Sequence, residues 1–240
     1  LLIGARRTFL RRMPVREIAS DIGLVIPGRQ SYNGKPHMDK RIGVVLVVIL
    51  VELAFRLVYS TVSLPVNPLF FTLLVRLVET LIILGLALRL SGVSARSIPR
   101  EIAIGAGIAA ALGAVAVLGD AASRTFLHRD ALRLLIGRQE VADPVLFFLV
   151  GCVIAPFAEE LFFRGILYSW LRQRMRMIAS IVVSALFFAG MHGFIAPVQL
   201  VGGLIFAGLY EWRGNIWAPY TVHAAANFGI WVLPWLYPSW

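Results

Sequence analysis

The sequence predicts an all-α fold: a polytopic bundle of about seven transmembrane helices behind a basic N-terminal arm. Three observations predict it. Of 240 residues, 59% are hydrophobic and 15% charged, with a mean hydropathy of +0.80, whereas a soluble domain carries nearer about a quarter charged residues. The apolar residues fall in runs long enough to cross a bilayer core, separated by Pro, Gly and Arg. The net charge of +10 would suit a nucleic-acid binder, but many of the arginines lie in the arm and in short loops between apolar runs. There they orient helices against the cytoplasmic side. The expected surroundings are therefore a lipid bilayer, with no nucleic-acid partner. The single cysteine, Cys152, sits in an apolar run and reads as a small buried hydrophobe.

Three regions follow. Residues 1–41 form the basic arm, with Arg6, Arg7, Arg11, Arg12, Arg16, Arg29, Lys35, Lys40 and Arg41 against three acidic residues. It reads as a mobile or interfacial segment whose charges fix orientation. Met38, just ahead of Lys40 and Arg41, would make a sensible start. Residues 42–143 hold spans at Ile42–Leu64, Leu69–Leu90 and Glu101–Gly119, then a polar stretch, Asp120–Asp143, that reads as an amphipathic helix at the interface. Glu52 with Arg56 and Arg76 with Glu79 read as self-neutralising pairs at helix contacts. Gly105, Ala109 and Gly113 repeat at four-residue spacing, the pattern that lets membrane helices approach closely. Residues 144–240 hold spans at Pro144–Trp170, Met177–Phe194, Pro197–Tyr210 and Ile216–Leu233.

The last region carries polar residues that a membrane does not tolerate without reason. Glu159, Glu160 and Arg164 lie in the middle of an apolar run. On an α-helix Glu160 and Arg164 are about 40° apart and can pair, while Glu159 points roughly 100° away from Glu160. Glu160 and Arg164 are then structural, and Glu159 is free to face a cavity as a general base, its proton affinity raised by desolvation and by the neighbouring carboxylate. Phe188 and His192 stand at i,i+4 on one later span, and His223 and Asn227 at i,i+4 on another, with three alanines between them.

In that order, Glu159-Glu160-x-x-x-Arg164, Phe188-x-x-x-His192 and His223-x-x-x-Asn227 resemble the three motifs of the CAAX-protease and bacteriocin-processing (CPBP, or Abi) intramembrane glutamic endopeptidases. The resemblance covers roughly residues 144–233. It implies hydrolysis of a peptide bond in a membrane-associated protein or peptide, by a multi-pass protein of a bacterial or archaeal cell membrane. It also implies the roles: Glu159 activates water with help from His192, and His223 and Asn227 donate to the oxyanion. Glu160, Arg164 and Phe188 support them. Other intramembrane protease signatures are missing: there is no His-Glu-x-x-His and no Gly-x-Ser-Gly, and Val117-Leu118-Gly119-Asp120 has valine where Gly-x-Gly-Asp needs glycine.

No cofactor is favoured. Glu159, His192 and His223 are nonetheless a competent zinc set, and the sequence shows no carboxylate orienting either histidine, which tilts the reading toward metal-free chemistry. The non-enzymatic alternatives are a membrane scaffold and a small transporter. The transporter lacks the paired repeats that such proteins commonly show.

Overall fold

The computed structural model describes residues 40–62, 67–87, 97–136, 143–192 and 197–236. These form helices α1 (Lys40–Thr61), α2 (Pro68–Ala87), α3 (Ile98–Leu127), the short α4 (Ala131–Ile136), α5 (Pro144–Arg172), α6 (Met177–Met191), α7 (Pro197–Arg213) and α8 (Trp217–Leu236). No strand occurs among the described residues. The basic arm lies outside them, except that Lys40 and Arg41 open α1.

Four helices, Lys40–Thr61, Pro68–Leu86, Ile98–Leu127 and Pro144–Arg172, are long and apolar enough to cross a membrane, and Met177–Met191 is apolar but shorter. The chain is thus an integral, multi-pass membrane protein, with four long spans among the described residues where about seven were expected. The sixth and seventh expected spans are present as helices α7 and α8, but α7, at 17 residues, is shorter than those four, and α8, though 20 residues long, is not among the helices apolar enough to cross. Large apolar side chains such as Leu50, Leu57, Leu81, Val115 and Leu118 are exposed on α1–α3, the face a lipid tail would cover.

The axis of the bundle is α5. Half of its most apolar window is buried inside the protein, against 6–22% for the other three long helices. Leu161, Phe163, Ile166 and Leu167 pack there with Val48 of α1, Ile83 of α2, Phe188 of α6, Phe206 of α7 and Val222 of α8. Asp143 caps the start of α5, its carboxylate accepting from the Leu146 N–H at 2.9 Å ahead of a first-turn proline. Pro156 then removes an N–H and crowds the carbonyl four residues back. The turn before it widens into a π-helix over Phe148–Ile154, with the Ala155 N–H reaching Val150. A second π segment, Leu161–Tyr168, begins directly after the paired glutamates, and such turns gather at functional sites.

Two expectations need correction. Asp120 does not open an interfacial stretch, because α3 runs on to Leu127. Asp120 is buried, paired with Arg124 of the same helix at 2.8 Å and accepting from the Leu132 N–H of α4 at 2.9 Å, so its charge does not end the helix. The break comes at His128, in the left-handed conformation at φ 51°. Nor is the small-residue stripe used along its length. Gly105 is the close contact, while a side chain at Gly113 would meet nothing within 4 Å.

At Gly105 a Cβ atom would lie 2.7 Å from both the Ala218 carbonyl oxygen and the Thr221 Cβ. Gly105→Val is therefore expected to force α3 and α8 apart and cost about 1–3 kcal/mol. A thermal unfolding midpoint in detergent equal to that of the parent would show that the contact carries no weight.

Ion pairs gather at one end of the bundle. Arg213 grips Glu101 through two bonds of 2.8 and 2.6 Å. Glu211 accepts from Tyr168 at 2.6 Å and from Arg172 at 3.0 Å. The start of α3 and the ends of α5 and α7 thus share one side.

Candidate active site

The two adjacent glutamates of α5 part company as helical geometry requires. Glu160 is fully buried and accepts from Arg164 Nη1 at 3.0 Å. Arg164, equally buried, also donates to the Gly203 carbonyl of α7 at 3.3 Å. Its guanidinium lies over the rings of Phe188 (4.7 Å) and Phe206 (5.2 Å). A buried arginine is tolerable only with such partners, and these rings add cation–π attraction.

Glu160 has a second partner from a distant helix. His223 Nδ1 of α8 lies 2.9 Å from the same carboxylate oxygen, Oε1. On α6, His192 Nδ1 is 2.8 Å from the Phe188 carbonyl oxygen. A carbonyl or a carboxylate in these positions accepts, so both histidines carry hydrogen on Nδ1. When the rings are neutral, both Nε2 atoms are bare.

Both Nε2 atoms face Glu159. Its Oε2 is 3.6 Å from His192 Nε2 and 3.7 Å from His223 Nε2. These separations are too long for direct hydrogen bonds, but a water can rest against the carboxylate and an imidazole together. A cavity of about 20 Å³ opens at this point, lined by Glu159 and His192 with Glu52, Arg76 and Glu79. It is room for one or two waters and not for a peptide. His223, 4% exposed, is not among the lining residues.

The structure therefore brings Glu159, His192 and His223 together and keeps Glu160 and Arg164 as a buried pair behind them. Phe188 packs between these groups, with its ring 4.6 Å from that of His192 and 5.6 Å from that of His223. Asn227 is occupied elsewhere: its Nδ2 donates to the Gly151 carbonyl at 2.7 Å, within the first π segment of α5. One of its two N–H groups is thereby used.

Two residues escaped the sequence reading. Phe206 of α7 stacks on the His223 ring at 4.6 Å and 18°, and no pattern in the sequence marks it. Arg76 of α2 pairs with Glu79 at 2.6 Å as expected, and also approaches Glu159 Oε1 at 3.6 Å. An arginine inside an apolar run was the available signal.

The bare Nε2 atoms, each with Nδ1 held by an acceptor, resemble the arrangement of metal-ligating histidines. Glu160 is the orienting carboxylate that the sequence did not reveal. Among the described residues, however, no three His, Cys, Asp or Glu side chains are arranged to hold a metal ion.

With this geometry in hand, the family comparison is specific. Residues 141–229 match the family model described as type II CAAX prenyl endopeptidase Rce1-like. The match holds all three motifs, so the family that the motifs resemble is the one that this part of the chain matches. The family is one of endopeptidases, and the match lies on apolar helices. No curated protein and no solved structure matches the chain.

Proposed function

Proceeding from the Rce1-like segment, we propose that this protein is an intramembrane endopeptidase in which Glu159 activates the attacking water. The observation that carries the reading is the meeting of Glu159 Oε2 with His192 Nε2 and His223 Nε2, at 3.6 and 3.7 Å, beside a cavity that admits water. The substrate is a membrane-associated protein or peptide bearing a CAAX-type tail, a leader or an anchor signal. The setting is a bacterial or archaeal cell membrane crossed about seven times.

In this reading the water gives one hydrogen to Glu159 Oε2 and the other to the bare His192 Nε2, which aims an oxygen lone pair outward. As that oxygen adds to the scissile carbonyl carbon, the water proton passes to Glu159. Charge grows on the carbonyl oxygen, where the second Asn227 N–H and His223 supply donors. His223 can donate from Nε2 only as the imidazolium, a charge that Glu159 and Glu160 lie close enough to compensate. Glu159 then returns its proton to the departing amine nitrogen, and the acid and amine products leave.

This chemistry needs no cofactor. A second reading follows from the Nδ1 contacts of the histidines, which are of the kind that orients metal ligands. After a shift of their side chains Glu159, His192 and His223 would hold zinc, which would supply Lewis-acid activation of water. One assay addresses both. The purified protein in liposomes is given a prenylated CAAX peptide, its unprenylated form and a leader peptide, before and after exhaustive chelation, with products identified by mass spectrometry. Cleavage that survives chelation is expected. Loss of cleavage that added zinc restores would establish the second reading, and a folded protein that cuts none of the peptides would return the site to a scaffold or transporter role.

A further inference from the structure

Helices α1 and α2 lie outside the Rce1-like segment, yet their charged residues reach its active site. Arg76 Nη2 is 3.6 Å from Glu159 Oε1, the carboxylate oxygen opposite the one facing the histidines. The same guanidinium is held by Glu79 Oε2 at 2.6 Å and approached by Glu52 Oε2 at 3.6 Å. Glu52 Oε1 accepts in turn from Arg56 Nε at 2.9 Å, and Arg56 Nη2 donates to the Met191 carbonyl at 3.1 Å. Met191 immediately precedes His192. A single chain of charged contacts thus runs from the backbone beside one motif, through two helices, to the carboxylate of another.

A helix pair that merely neutralised itself would not have this form. Glu79 alone would balance the charge of Arg76, yet two further carboxylates surround it, and Glu52 and Glu79 are both buried. Arg76 also walls the cavity that holds room for water, beside Glu159 and His192. A carboxylate can rotate about its last bond, and either oxygen could then turn to the water. Pairing Oε1 with a fixed cation removes that freedom and leaves Oε2 for the histidines. Arg76 is itself fixed, by the buried carboxylates on either side of it.

We propose that Arg76 is a positioning residue for the reaction: it anchors Oε1 of Glu159 so that Oε2 faces His192 and the attacking water. The inference rests on Glu159 being the base. It predicts an effect on turnover and not on substrate affinity, because the anchored group acts in the chemical step. Outer partners that orient metal-bound ligands contribute about 10–100-fold, and a comparable weight is expected for an arginine that orients the base.

The test compares Arg76→Gln, Arg76→Lys and Glu79→Gln with the parent in the liposome assay, each checked for folding by thermal unfolding. Arg76→Gln is expected to lower kcat by about 10–100-fold with KM little changed, Arg76→Lys to recover much of the loss, and Glu79→Gln to fall between. An unchanged kcat overturns the inference. A rise in KM alone overturns it too and makes Arg76 a substrate-binding group, and equal losses in Gln and Lys variants that follow the folded fraction reduce it to a stabilising contact. Glu159→Gln is run alongside to separate the failures. If it stays active the base assignment falls, whereas a dead Glu159→Gln beside a fully active Arg76→Gln removes the Arg76 role alone.

Discussion

Glu159→Gln is expected to slow cleavage by about 10²–10⁴-fold, the usual weight of a positioned general base, while the protein stays folded. Glutamine keeps the shape of the side chain and loses the basic oxygen, so the proton of the attacking water has no acceptor of sufficient strength. The surrounding structure has little reason to move. Arg76 retains Glu79 and Glu52, His192 keeps its bond to the Phe188 carbonyl and His223 keeps Glu160. Turnover in liposomes and a thermal unfolding curve read the two halves of this expectation separately. Near-parental turnover would remove Glu159 from the chemistry. A collapse of stability equal to the loss of activity would mean that the carboxylate is there to be buried.

How much of this centre the sequence disclosed depends on how far apart the partners lie. Glu160 with Arg164, Glu52 with Arg56 and Arg76 with Glu79 are one helical turn apart, and all three pairs form. The rotation between Glu159 and Glu160 was equally legible, because it follows from the pitch of one helix. Contacts across helices were not. Nothing local tells Glu160 that His223, 63 residues on, will share its Oε1, or tells Arg76 that Glu159 will stand beside it.

Composition located the apolar helices well and their ends less well. Asp120 read as a boundary because a lone charge ends a span, and it lost that meaning once Arg124 and Leu132 satisfied it inside the structure. The π segments of α5 were hidden for a similar reason: Pro156 announces a distortion, but its form depends on how neighbouring helices pack. Gly105 and Gly113 looked alike in sequence, and only the approach of α8 distinguishes them.

The largest effect on stability is expected from Arg164→Leu. Arg164 and Glu160 are each 0% exposed, and removing the cation leaves a carboxylate in the protein interior with His223 as its one remaining hydrogen-bonding partner among the described residues. Breaking one member of such a pair costs about 3–5 kcal/mol, a large part of the stability of most domains. The loss should appear as a depressed unfolding midpoint, with activity falling as folded protein is lost. Replacing Glu160 and Arg164 together by leucine separates packing from chemistry, because two apolar side chains bury no uncompensated charge and can match a buried ion pair in stability. The double variant is expected to regain most of the midpoint and stay nearly inactive, since His223 Nδ1 then has no acceptor to fix its ring or to balance its charge. If activity returned along with stability, the 2.9 Å contact between His223 and Glu160 would carry no catalytic weight, and the buried pair would serve the fold alone.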